Sequence, residues 1–384
     1  MIVAEIKESE PDLTAIRRHL HTRPELAFEE HETSAFIAKH LEDWGYQVTR
    51  GVAGTGIVAT LRNGNGPRSL GLRADMDALP IQEETGLAYA SANPGKMHAC
   101  GHDGHMAMLL GAARYLSKAR PFNGTLHLIF QPAEEDISGA KRMVEEGLFE
   151  QFPCDAVFAL HNMPNVPLGH FLFKTGPMMA ASDVATITMR GAGGHAATPH
   201  LTADPILAAA TLVVALQSIV SRNRDPQEPA VLSVGTFHAG TVSNVIPDEA
   251  QLTVDVRTFS AATRDLIEQR VTRLAKMQAE SFGLTADVNY ERFYPVTVNA
   301  PEPTQFARDI ALKWAGADKI TDLERPFSYS EDFAYMLQAR PGSYFMLGMG
   351  DGHKLHTSRY NFNDDALVIG ASFWVRLVED YLRP

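Results

Sequence analysis

Only two cysteines, Cys100 and Cys154, occur in 384 residues, which leaves no disulfide framework. Positive charge is also short: 34 Lys and Arg stand against 46 Asp and Glu, for a formal net charge of −12. No Lys/Arg cluster is present, so nucleic acid and anionic membrane surfaces are excluded as expected partners. The first ten residues carry acids where a secretory leader needs a basic start and an apolar stretch, and no uncharged apolar run is read as membrane-spanning. The expected setting is the cytoplasm. Internal repeats and low-complexity tracts are absent as well.

What remains is an ordinary globular composition, 45% hydrophobic and 21% charged, in a chain long enough for two domains. Its densest chemistry lies between Met97 and His105, where three histidines, a cysteine and an aspartate fall within nine residues. Two glycines there are expected to keep the segment out of regular helix, and an apolar helical run follows from Met106. Cys100 and His102 are thus placed on a loop feeding a helix N-terminus, where the helix dipole is expected to favour a thiolate. Crowded thiol and imidazole groups fit a metal site better than a polar capping loop.

Around this stretch, strand and helix patterns alternate. Strands are expected at Gln47, Gly56, Ser69–Asp77, Thr125–Phe130 and Ala156–His161, with helices between them. This order implies an α/β fold with a mixed, mostly parallel sheet flanked by helices. Several of the strands end in reactive groups: Asp75 and Asp77, then Glu134 and Glu135, then His161. Sites in such sheets form beyond the carboxyl ends of strands, so these groups are expected to converge. From Ser182 the order becomes strand, helix, strand, strand, helix, strand, a ferredoxin-like α+β unit. The expected division is a discontinuous metal-binding domain, 1–181 and 295–384, interrupted by a small domain at 182–294.

The segments Gly71-Leu-Arg-Ala-Asp-Met-Asp-Ala-Leu-Pro, His98-Ala-Cys-Gly-His-Asp-Gly-His, Phe130-Gln-Pro-Ala-Glu-Glu, Ala159-Leu-His-Asn, Gly191-Ala-Gly-Gly-His, Asn244-Val-Ile-Pro, Ser330-Glu-Asp-Phe and Leu355-His-Thr-Ser run in one order along nearly the whole chain. Together they resemble the M20 metallopeptidase/amidohydrolase family, in the branch of hippurate hydrolases, N-acyl-amino-acid amidohydrolases and auxin-conjugate hydrolases. The resemblance implies two divalent ions (zinc, manganese, cobalt or nickel) held by Cys100 as bridge with His102, Glu135, His161 and His356. Asp75 stands where the broader family carries a histidine ligand, a change for which His102 compensates. The resemblance further implies Glu134 as general base and His195 as an oxyanion donor acting across a dimer. It makes Asn244 a substrate contact, Arg257 a grip for the substrate carboxylate, and Asp77 a carboxylate orienting a ligand. His98, Asp103 and His105 are left as scaffold.

The implied activity is hydrolysis of the amide bond of a small N-acyl amino acid by a homodimer or dimer-based oligomer, with the inserted domain serving as lid or dimerisation surface. Three alternatives stand beside it: a dipeptidase or carboxypeptidase of the same family, a cysteine hydrolase using Cys100 as nucleophile, and a non-catalytic metal-storage or ligand-binding protein.

Overall fold

A computed structural model describes residues 2–136 and 138–383. It divides into two compact units: Met1–Met178 with Val298–Arg325 and Asp332–Pro384, and Met179–Thr297 with Pro326–Glu331. The short return segment Pro326–Glu331, grouped with the first domain by chain order alone, belongs to the second because Ala180 N–H donates to the carbonyls of Phe327 and Tyr329.

The first unit is built on an eight-stranded sheet in the spatial order Gln47–Val52, Gly56–Asn63, Gly124–Gln131, Ser69–Asp75, Ala156–Met163, Gly342–Gly348, Phe171–Phe173 and Ile320–Asp322. Its centre is parallel: Ser69–Asp75 runs beside both Gly124–Gln131 and Ala156–Met163, and Gly342–Gly348 continues the set. Antiparallel pairings flank that centre. The central strands are buried almost throughout, as strands covered on both faces must be. Helix His102–Ala119 packs between the sheet and helices Glu10–Thr22 and Leu367–Tyr381. It is enclosed nearly all round, with Met106, Leu109, Leu110 and Leu116 fully buried. Each such side chain contributes about 1.5–3 kcal/mol by leaving water.

This helix begins at His102, earlier than the sequence suggests, so His102, Asp103, Gly104 and His105 form its first turn. The two glycines of the motif act differently. Gly101 takes φ 95° as the residue before the helix, and a Cβ there would meet the Asn162 side chain at 2.6 Å. Gly104 is helical, but a Cβ on it would strike the Phe362 ring at 2.2 Å. One glycine turns the chain and the other admits a close neighbour.

The second unit is a four-stranded antiparallel sheet in the order Ala230–Ala239, Glu249–Thr258, Ala181–Arg190 and Thr285–Tyr294. Helices Pro205–Ser218 and Ala261–Ser281 cover it. Along Glu249–Thr258 burial alternates residue by residue, the two-residue period of a sheet with one covered face. Leu252, Val254 and Val256 meet Leu212, Leu216, Ile267 and Val271 in its core. Asp204 caps the first helix, accepting from Ile206 N–H at 2.8 Å, and Pro205 occupies the first turn.

Pro205–Asn223 is long and apolar enough, by length and composition, to cross a membrane. Its Ala208, Ala209, Leu212 and Leu216 face is spent on the sheet beneath it, which is how the core helix of a folded domain comes to satisfy the same criterion.

Candidate metal centre

Five side chains from four separate segments meet at the carboxyl ends of the central strands. Cys100 comes from the loop before the buried helix and His102 from its first residue. Glu135 follows strand Gly124–Gln131, His161 lies in strand Ala156–Met163, and His356 sits in the loop after Gly342–Gly348. Their donor atoms form two triads, Cys100–His102–His161 and Cys100–Glu135–His356, each with all atoms within 4.8 Å of one another. Cys100 belongs to both. Its Sγ lies 3.3 Å from His161 Nε2, while Glu135 reaches His102 Nε2 at 3.8 Å and His356 Nε2 at 3.4 Å. Metal–ligand bonds of about 2.0–2.3 Å set tetrahedral donors roughly 3.3–3.8 Å apart, which matches this spacing.

Two of the three histidines are held at Nδ1 by a backbone carbonyl. His102 Nδ1–H donates to the Asp77 carbonyl at 2.8 Å, and His161 Nδ1–H donates to the Asn162 carbonyl at 2.7 Å. Each Nε2 is thereby turned toward the cluster, the arrangement that ligating histidines require. His102 Nε2 and Glu135 Oε1 are buried and make no hydrogen bond among the described residues. Polar atoms left so would cost about 1–3 kcal/mol apiece. Cations would satisfy both, and the mixed thiol, imidazole and carboxylate set suits borderline divalent ions.

The ligand set is itself braced. Asp77 lies 3.3 Å from His102 Nδ1 through one carboxylate oxygen and accepts Glu135 N–H at 2.9 Å through the other. Asp75, two residues earlier, lies 3.7 Å from His102 Nε2 and has closer partners: Arg73 Nη1–H donates to it at 2.7 Å and His105 Nδ1 lies 2.6 Å away. His105 is further engaged with Asn162, and Asp103 with Arg17 and His21. His98 is fully enclosed, and burial drives its pKa down to about 4. His356 adopts φ 59°, a left-handed conformation of the kind that clusters at functional sites, and its N–H donates to the Ala99 carbonyl at 2.9 Å.

The expected thiolate at Cys100 is not what the environment favours. Burial, followed by the charges of Glu135, Glu134 and Asp75, pushes the thiol well above its ordinary value. His102 is lowered by burial but raised more by Asp75 and Asp77, to about 10. Before a cation binds, both groups therefore hold their protons at neutral pH. Loading is expected to release about one proton from each, so metal affinity should climb as pH rises. Calorimetric titration in buffers of different ionisation heat reads this directly; an affinity unchanged between about pH 6 and pH 8 would contradict the assignment.

Glu134 is buried, and its carboxylate falls within 4.8 Å of His102 and Glu135 donor atoms in a third grouping. In the second unit, His195 pairs with Val245 across a short two-stranded ladder, and Ala196 N–H donates to the Asn244 carbonyl at 3.0 Å. His195 and Asn244 are thus neighbours there. His195 Nδ1 accepts Ala197 N–H at 3.0 Å, which leaves Nε2–H as a donor. Arg257 is otherwise occupied: its guanidinium donates to Asp255 at 2.8 and 3.0 Å and to Ser330 at 2.6 Å. That engagement removes most of the fork a substrate carboxylate would use.

Some residues of the site were quoted in motifs without a role. Asn162 ties His105 to Tyr360, and Asp332 accepts from Arg73, Gln131 and the Ala140 N–H. Their place beside His161 in Ala159-Leu-His-Asn and within Ser330-Glu-Asp-Phe was the available signal.

Residues 71–380 match the family described as Peptidase family M20/M25/M40. The chain belongs to that family and is a hydrolase. Over 382 residues it is 43% identical to the hippurate hydrolase of Campylobacter jejuni, covering all of both chains. To the N-acetyl-L-cysteine deacetylase of Bacillus subtilis it is 41% identical over 366 residues, 95% of this chain and 86% of that one. Among solved structures, the Bacillus subtilis YXEP protein, described as a dinuclear metal binding peptidase from the M20 family, superposes with a TM-score of 0.85 at 32% identity. That match covers 98% of this chain and 99% of the other.

Proposed function

We infer that the chain hydrolyses the amide bond of N-acyl amino acids, releasing a carboxylic acid and a free amino acid, with two divalent cations held by Cys100, His102, Glu135, His161 and His356. The observation that carries this reading is the pair of donor triads sharing Cys100 with a further buried carboxylate, Glu134, beside them. Relatives named for hydrolysis of hippurate and for removal of an acetyl group from N-acetyl-L-cysteine support the substrate class. The cations would polarise the acyl carbonyl and lower the pKa of an attacking water toward neutrality.

The chain's own groups do the rest. Glu134 takes the water's proton and delivers it to the departing amine nitrogen, general base and then general acid. Asp77 holds His102 and the Glu135 backbone in place. His195 donates Nε2–H to the developing oxyanion, and we assign that role to the histidine of a second subunit in a homodimer. Self-association is supported by helix Pro205–Ser218 and edge strand Ala230–Ala239, neither of which contains a charged Asp, Glu, Lys or Arg. Together they expose Leu207, Val214, Val231 and Phe237. On a chain of net charge −12, an uncharged apolar surface is where a second copy meets least repulsion. Two free cysteines, both buried, fit a reducing compartment, and we place the enzyme in the cytoplasm.

The test is a panel of N-benzoyl, N-acetyl and longer N-acyl amino acids, with unblocked dipeptides as contrast, assayed with zinc, manganese, cobalt and nickel. Turnover of dipeptides alone would overturn the substrate class. His195→Ala is expected to lower kcat by about 10²–10³-fold with metal content unchanged. Light scattering coupled to gel filtration should give a dimer, and full activity from a strict monomer would remove the assignment of His195 to a second subunit.

A further inference from the structure

Glu30 is a fully buried carboxylate in the connection leading into helix His31–Asp43, far in sequence from every group assigned so far. One of its oxygens accepts Ala133 N–H at 2.9 Å and the other accepts the Thr55 hydroxyl at 2.6 Å. Both of these partners are neutral groups, and the charge that bears on it, Asp77, is of like sign, although a buried carboxylate ordinarily takes a cationic partner. Ala133 immediately precedes Glu134 and Glu135 and has φ 51°, a left-handed conformation unfavourable for a residue with a Cβ. Its carbonyl in turn accepts Gly139 N–H at 2.9 Å, where a Cβ on Gly139 would meet the Pro132 carbonyl at 1.8 Å. The turn carrying the two acids is therefore pinned on both sides of Ala133, and Asp77 holds it again at Glu135 N–H.

We propose that Glu30 is a positioning residue: its hydrogen bond to Ala133 N–H forces the left-handed turn that aims Glu134 and Glu135 in different directions, one toward the reacting water and the other toward the cations. This inference rests on the roles proposed above for those two acids. Without the bond, Ala133 relaxes toward ordinary backbone angles, and both carboxylates swing with the peptide that follows it. Glu30 acts through the turn and touches neither substrate nor metal.

The test compares Glu30→Ala with Glu30→Gln, whose amide oxygen still accepts from Ala133 while its NH2 donates to the Thr55 hydroxyl. At saturating metal, Glu30→Ala is expected to lose about 10- to 100-fold in kcat with KM nearly unchanged, as misplacement of a reacting group does. Glu30→Gln should restore kcat to near the wild-type value. Cobalt titration followed by visible absorption gives a second readout that needs no substrate. Displacement of Glu135 should alter the spectrum in Glu30→Ala and leave Glu30→Gln like wild type. Should Glu30→Ala not accumulate folded, Glu30→Asp replaces it, since a side chain one methylene shorter cannot hold both partners.

A folded Glu30→Ala with wild-type kcat and cobalt spectrum would overturn the proposal. So would equal losses in the alanine and glutamine variants. A wild-type protein that turns over no N-acyl amino acid while the cobalt spectra still differ as expected would instead place the failure in the proposed reaction.

Discussion

Glu134→Gln is expected to bind its cations normally and to lose about 10²–10⁴-fold in kcat, the contribution of a placed general base. The substitution is nearly isosteric, so the buried pocket around it keeps its shape. What disappears is the capacity to accept a proton from water and return it to the amine. KM should change little, because a general base in the role proposed for Glu134 acts on the transition state more than on substrate binding. The pH profile should also lose its acidic limb, which reports deprotonation of the base. Steady-state kinetics alongside elemental analysis for bound metal checks each part. Near-normal turnover with full metal would remove Glu134 from the reaction and move the proton to another carboxylate.

Stripping the protein with a chelator is expected to abolish activity, with recovery on adding back a divalent ion. The same experiment separates two chemistries for Cys100. A thiol nucleophile should survive loss of metal, whereas a thiol held protonated by burial and by Glu135, Glu134 and Asp75 has little nucleophilic capacity of its own. Cys100→Ala should accordingly lose metal affinity together with turnover, because its sulfur is the one donor common to both triads. Substantial activity in the chelated protein, or in metal-saturated Cys100→Ala with only one cation bound, would argue against a paired site.

Much of the site was legible because its chemistry is concentrated in short runs of sequence. Cys100 and His102 are two residues apart, Glu134 and Glu135 are adjacent, and each run abuts a strand or helix whose apolar pattern is clear. Other features depend on groups brought from far away in the chain. The start of the helix at His102 is decided by Gly101, whose left-handed backbone lies against Asn162 and Tyr360, about sixty and more than two hundred residues downstream. The protonation of Cys100 is set by burial and then by acids from two other segments. Arg257 looked free to grip a carboxylate, yet Asp255 and Ser330 claim its guanidinium, and Ser330 is seventy-three residues distant.

By itself, then, the sequence determined which kinds of element form, the alternation that produces a sheet with reactive strand ends, and the identity of every proposed ligand. Local periodicity and residue type carry the elements and their alternation, and the resemblance of the ordered motifs to the M20 family carries the ligand set. Only the tertiary structure decided which lone pairs face one another, which carboxylate braces which histidine, and that a distant buried acid, Glu30, fixes the turn beneath Glu134 and Glu135. Hydrogen-bond direction and desolvation depend on neighbours within a few ångströms, and in a folded chain those neighbours are seldom adjacent in sequence.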